Sequence, residues 1–250
     1  MARDKSYGGF APYVPVSERR ARAKKAVAAL RKKNPDIRPV VVDGPKLART
    51  WWGQAWNRNL ERYADYAYRI SRGRSYVRHG AVLDLVIDSG QIWALVQGSQ
   101  AKPYEIQIVI DPLSPATWKA VKDACQGAFN ALPDLLEGRF PKALAELFTA
   151  EGQGLFPTPR EIHLSCTCPD WATLCKHASA VLYGVGVRLD QSPELFFALR
   201  QVQVEDLVSQ VIQEKSADFL KKATKKSSRV IDSREDDLGA MFGIDLDDDT

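Results

Sequence analysis

Apolar positions change their spacing twice within the first 110 residues. ERRARAKKAVAALRKK, residues 18–33, sets Ala23, Ala26, Val27 and Leu30 three or four apart among basic residues. That spacing predicts a helix exposed on most sides, capped by Ser17 and stopped by Asn34 and Pro35. A VVV run at 40–42 reads as a short strand or linker leading to Gly44 and Pro45. TWWGQAWNRNLERYADYAY, residues 50–68, returns to helical spacing at Trp52, Trp56, Leu60, Tyr63 and Ala67, an aromatic stripe suited to a core. The period then drops to two. SYVRH, AVLDLVID, QIWALVQ and YEIQIVI read as four short strands, the second and third joined across Asp88, Ser89 and Gly90. They predict a small antiparallel sheet or partly closed barrel.

Helical character resumes over residues 114–150, where Ser114 and Pro115 suit a cap and a first-turn position and a second helix follows Pro141. GQGLFPTPR, 152–160, is a connection punctuated by Gly and Pro. EIHLSCTC then reads as a strand, PDWATL as a loop, and CKHASAVLYGVGVRL as the start of a helix, with further helices at 193–200 and 204–222. The expected class is α+β, with no internal repeat. The expected parts are a basic arm (1–48), an aromatic helix with a sheet (49–112), a helical connection (113–160), a cysteine-rich unit with C-terminal helices (161–222) and an acidic tail (223–250).

Charge sharpens the two ends. The net charge of +4 conceals thirteen lysines and arginines against four acids in residues 1–50, and eight acids against two arginines in residues 229–250. A basic arm suggests a polyanionic partner, and an acidic tail suggests solvation or docking. In that tail Leu238, Met241, Phe242 and Leu246 could form an apolar helix face edged with acids, a groove-binding peptide, or a plain solvated terminus. No segment approaches the roughly 18 consecutive apolar residues of a membrane span, and the first twenty lack a secretory apolar region. The expected compartment is the cytoplasm, with no membrane partner.

Reduced thiols in that compartment make clustered cysteines better metal ligands or catalytic groups than disulfides. CTCPDWATLCKH, 166–177, holds three of the four cysteines and one of the three histidines; Cys125 stands apart and reads as a small buried residue. On a strand Cys166 and Cys168 share a face while Thr167 points away. A six-residue loop begun by Pro169 and Asp170 can return Cys175 and His177 to face them. Three sulfurs and one nitrogen suit a tetrahedral structural zinc ion, leaving no coordination position for water. A Cys–His nucleophile pair, a redox dithiol and an iron–sulfur cluster fit less well, for want of an orienting carboxylate, of C-x-x-C spacing and of a fourth thiolate respectively. His163, on the preceding strand, is either a support for the site or an ordinary histidine. Asp84 and Asp88 receive no role.

The pattern C-x-C-x6-C-x-H resembles the SWIM zinc finger, and TWWGQAW, RGRSYVRHG, ALVQGS, LSCTCPDWATLCKHASAVLYGVG and SPELFFALR resemble bacterial SWIM-finger proteins over most of the chain. The resemblance implies zinc ligands at Cys166, Cys168, Cys175 and His177. It also implies binding of DNA or of other proteins, often beside a Swi/Snf-type helicase. The chain has no GxxxxGK[ST] phosphate loop, so that ATPase would be another chain.

RISRGRSYVRHG, 69–80, supplies candidate phosphate and base contacts. With SYVRH as a strand, Arg74, Tyr76 and Arg78 share one face, and Arg69 and Arg72 enter from the preceding turn. The same residues could be an exposed Arg-Tyr-Arg ladder. Lys176, between two metal ligands, could point outward to a phosphate. The expected function is therefore a nonenzymatic, zinc-containing accessory protein that binds nucleic acid, DNA before RNA. The alternative is a protein-interaction adaptor built on a structural zinc.

Overall fold

The computed structural model describes residues 14–61, 67–124, 148–150, 154–170 and 172–207, with residues 209, 216 and 220. The chain divides into units at Met1–Val208 and Ser209–Thr250, and every element named below belongs to the first. The architecture is α+β. Its helices are α1 Val16–Arg31, α2 Trp51–Glu61, α3 Ala67–Arg78, α4 Pro115–Ala124, α5 Lys176–Leu189 and α6 Leu195–Leu199. Strands β1 Val82–Asp88, β2 Gln91–Val96, β3 Tyr104–Ile110 and β4 Ile162–Cys166 form one antiparallel sheet in the order β1-β2-β3-β4. Cys125, the expected helix after Pro141, Tyr63 and the tail residues Leu238, Met241, Phe242 and Leu246 lie outside the described residues.

Period two is clearest where one sheet face is covered. Ile92, Ala94 and Val96 of β2 and Tyr104, Ile106, Ile108 and Ile110 of β3 are buried, while Gln91, Trp93, Glu105 and Gln107 alternate outward. Strand β1 carries a register shift between Val82 and Asp84, and its first four residues are all buried. The arm explains this. Val40 N–H donates to the Val82 carbonyl, Leu85 N–H to the Arg38 carbonyl and Arg38 N–H to the buried Asp84 carboxylate, so residues 38–40 line the outer edge of β1. Asp84 thus anchors the backbone, and exposed Asp88 accepts from Ser89 N–H in the turn.

Helix α5 is the centre of the unit: every residue from His177 to Val187 is buried. It packs on α3, on α2 and on all four strands. Trp56 of α2 is fully buried against it and donates its indole N–H to the Leu182 carbonyl at 2.8 Å. Trp56 and Leu60 of the aromatic stripe are therefore core, as its spacing predicts, and Trp52 is half-buried. Asp190, just past α5, accepts from the Thr50 amide at 3.0 Å and its hydroxyl at 2.6 Å. Thr50 Oγ1 in turn accepts the Gly53 N–H, closing the first turn of α2. Ser114 Oγ accepts the Thr117 N–H at the start of α4, and Pro115 is its first residue, the arrangement read from sequence.

Three expectations need correction. SYVRH is not a strand: residues 67–78 are the helix α3, whose buried positions Ile70, Gly73 and Val77 fall three and four apart. Gly73, which interrupts the apolar pattern in sequence, lets α3 approach α5 closely; a Cβ there would lie 2.4 Å from Ser179 Cβ. The sheet's fourth strand is instead β4, which carries Cys166 and pairs with β3. Finally, α1 begins at Val16 after Pro15 with no side-chain cap, so Ser17 is inside the helix.

Candidate metal centre

Strand β4 runs antiparallel to β3 with Cys166 opposite Ile106, and the pairing continues one residue further: Thr167 N–H donates to the Glu105 carbonyl, and Glu105 N–H to Thr167 Oγ1. Thr167 is thereby held away from the site, and Cys166 and Cys168 point together. Asp170 starts the return loop by accepting the Ala172 N–H at 3.2 Å, and Arg69 of α3 donates to its other oxygen at 2.6 Å. Burial would raise the Asp170 carboxyl; the Ala172 amide and the Arg69 guanidinium hold it below its ordinary value. The loop ends at Cys175, the N-cap of α5, whose sulfur accepts the Ala178 N–H at 3.4 Å.

One ligand atom from each of Cys166, Cys168, Cys175 and His177 falls within 4.8 Å of the others. A zinc tetrahedron with bonds of about 2.3 Å to sulfur and 2.0 to 2.1 Å to nitrogen has a sulfur–nitrogen edge of about 3.6 Å. Cys175 Sγ and His177 Nδ1 are 3.8 Å apart, close to that edge. The donor chemistry also fits. A hydrogen bond from Cys166, with His177 and the Ala178 amide, holds the Cys175 thiol well below its ordinary value, while the same contact raises Cys166. The helix N-terminus adds its positive pole to the stabilisation of that thiolate.

His177 is 2% exposed between two rings, Tyr104 at 4.5 Å and Tyr76 at 5.4 Å between centroids. Its Nε2 is buried with no hydrogen-bond partner among the described residues. With Nδ1 turned to the sulfurs, that ring has one orientation that serves a metal. Gly98 completes the enclosure: a Cβ there would lie 2.3 Å from a Tyr104 ring carbon and 2.9 Å from His177 Nε2. The four ligands are positioned to bind a single zinc ion, which would supply structural cross-linking and no open coordination position. Sequence reasoning missed Tyr104 and Gly98. Gly98 stands in the quoted ALVQGS stretch, but nothing local to it announces a histidine from a distant helix.

The helical form of 67–78 scatters the candidate basic residues. Arg69 is paired with Asp170. Arg74 pairs with Glu61 and donates to Tyr183 Oη, and Arg78 donates to the Pro45 carbonyl, so both serve the side facing α2 and the arm. The strand face shared by Arg74, Tyr76 and Arg78 is thus not formed, because residues two apart on a helix point in different directions. Arg72 and Tyr76, four apart, fall on one side of the helix. They line a cavity of about 390 Å³ together with Lys176, Arg19 and Arg22. The last two come from the basic arm, whose charge the sequence announces but whose target it does not. His163 is exposed and bonded to Asp111 at 2.8 Å, remote in role from the ligands.

No helix among the described residues is long and apolar enough to cross a membrane. Residues 152–185 match the SWIM zinc finger family, a span that contains all four ligands. The chain is also 39% identical over 165 residues to the uncharacterized protein Rv2102 of Mycobacterium tuberculosis (strain ATCC 25618 / H37Rv). That alignment spans 65% of this chain and 59% of the mycobacterial protein. No solved structure matches.

Proposed function

We propose that this SWIM-finger chain is a nonenzymatic accessory protein that binds nucleic acid, DNA in preference to RNA, with the zinc unit shaping the contact surface. One observation carries the reading: Arg19, Arg22, Arg72 and Lys176 converge from three helices around one cavity, with the Tyr76 ring beside them. Clustered cations beside an aromatic suit backbone phosphate and an unstacked base. A four-ligand metal leaves no site for hydrolytic chemistry, which supports the nonenzymatic part. Cytoplasmic residence follows from thiols that must stay reduced. Preference for DNA and a helicase-type partner rest on family resemblance alone, and the acidic residues 229–250 are the proposed partner segment.

Salt-titrated fluorescence anisotropy with single- and double-stranded DNA and RNA tests the proposal. Affinity is expected to fall log-linearly with salt, with a slope of about 0.7 to 0.9 per neutralised phosphate. Absence of binding at low salt removes the nucleic-acid reading, and retained capture of a helicase by the same preparation then favours the adaptor.

A further inference from the structure

We propose that the cavity between α1, α3 and the start of α5 is a pocket for a terminal phosphomonoester, taking the phosphorylated end of a nucleic-acid strand rather than its internal phosphates. The inference rests on the nucleic-acid reading and narrows it.

Shape comes first. A volume of about 390 Å³ lies in the range of small-molecule pockets, roughly 300 to 1,000 Å³, and is a concave site. A duplex backbone is convex and continuous, and slides past such a site; a strand end can enter it. Ala81 and Gly98 line the pocket beside its polar groups, and Gly98 also backs onto His177, so the metal site and the pocket share a wall.

Charge comes second. Arg19 and Arg22 of α1, Arg72 of α3 and Lys176 of α5 all line the cavity, and no carboxylate does among the described residues. Glu18 pairs with Arg22 from outside that lining. A monoester carries a charge of about −1.5 to −2 at neutral pH, against −1 for an internal diester, so the positive charge left by Arg19, Arg22, Arg72 and Lys176 after the Glu18–Arg22 pair favours the end. Ser75 Oγ and His79 Nδ1, 3.3 Å apart, add polar groups on the α3 side. Burial first, and then Arg20, Arg19 and Arg78, hold the His79 imidazole below its ordinary pKa.

Lys176 links the pocket to the metal. It stands between Cys175 and His177, so closing the zinc site fixes its backbone. A bound zinc would therefore fix the backbone of one of these cations and, through His177, the wall that Gly98 backs onto.

The test is anisotropy on the zinc-loaded full chain with a labelled mononucleoside monophosphate and with one labelled single strand in four forms: 5′-phosphate, 3′-phosphate, hydroxyl at both ends, and circular. At least one phosphorylated form is expected to bind about tenfold or more tighter than the hydroxyl form, the effect of an added charge-assisted contact. Arg72→Gln is expected to abolish that difference. Lys25→Gln, exposed on α1 and outside the cavity, is expected to weaken all forms equally. Zinc content and melting temperature of both variants verify folding. Equal affinity for phosphorylated, hydroxyl and circular strands overturns the pocket while leaving nucleic-acid binding intact. Binding of a mononucleoside monophosphate, lost in Arg72→Gln, with no strand bound at all, keeps the pocket and removes the nucleic-acid reading. Silence in every arm overturns both.

Discussion

Cys175 has two roles in one sulfur, metal ligand and helix cap, and substitution separates them. Serine is a good N-cap and a poor zinc ligand, whereas alanine is neither. Cys175→Ser is therefore expected to lose the single zinc by elemental analysis and to melt lower. Cys175→Ala is expected to lose the metal equally and to be less stable again by about 1 kcal/mol in urea unfolding. Equal stability of the two would show that the Ala178 contact contributes nothing. Gly98→Ala is expected to destabilise by roughly 1 to 3 kcal/mol, since overpacking forces the Tyr104 ring or His177 aside. The same variant should bind zinc more weakly in chelator competition. The ligands were legible in sequence because strand alternation and a short loop are local geometry. Gly98 and Tyr104 were not, since a close approach between residues some 80 apart leaves no local trace.

Short connections bear more of the load than their length suggests. Thr158 and Glu161 form a capping box around the turn Pro159–Glu161, where the carboxylate accepts the Thr158 amide and hydroxyl, each at 2.8 Å. Arg200, its side chain 3% exposed at the end of α6, donates to Glu161 and to the Asp111 carbonyl, tying the start of β4 to the end of β3. Burial would raise the Glu161 carboxyl, but the Thr158 amide and Arg200 hold it below its ordinary value. A depressed native pKa contributes stability above the unfolded value and loses it as pH falls through the native one. The wild-type chain is therefore expected to lose more melting temperature than Glu161→Gln between neutral pH and pH 3. Parallel pH profiles for the two would remove this linkage. At this scale the helix α3 was hidden from sequence. Gly73 reads as a breaker and Tyr76 with Arg78 mimics period two, while the contact that decides the matter, Gly73 on Ser179, is tertiary.

Sheet and metal site form one cooperative body at the scale of the whole unit. Strand β4 brings Cys166 and, just beyond it, Cys168 to the sheet edge, and α5, which carries His177, fills the core beneath all four strands. Zinc removal should accordingly weaken the entire unit rather than fray residues 166–177. Chelation is expected to lower the melting temperature and to reduce amide-exchange protection in β2 and β3 along with that in β4. Protection lost only around the cysteines would limit the metal to a local clasp. The periodicities of β1, β2 and β3 made the sheet readable, but its membership was not. A pairing between residues 104–110 and 162–166 spans some fifty positions, and alternation says which face a strand buries without naming its neighbour.

That distant pairing has a consequence for synthesis. Residues 38–110 emerge first and can zip into a three-stranded ribbon, yet its apolar face and the β3 edge stay open until β4 and α5 arrive. An unpaired edge beside exposed isoleucines is a template for sticking to other chains. Ribosome stalling or truncation before residue 189 should thus yield aggregates instead of a smaller working module, so α5, made long after the ribbon, decides whether the earlier half is usable.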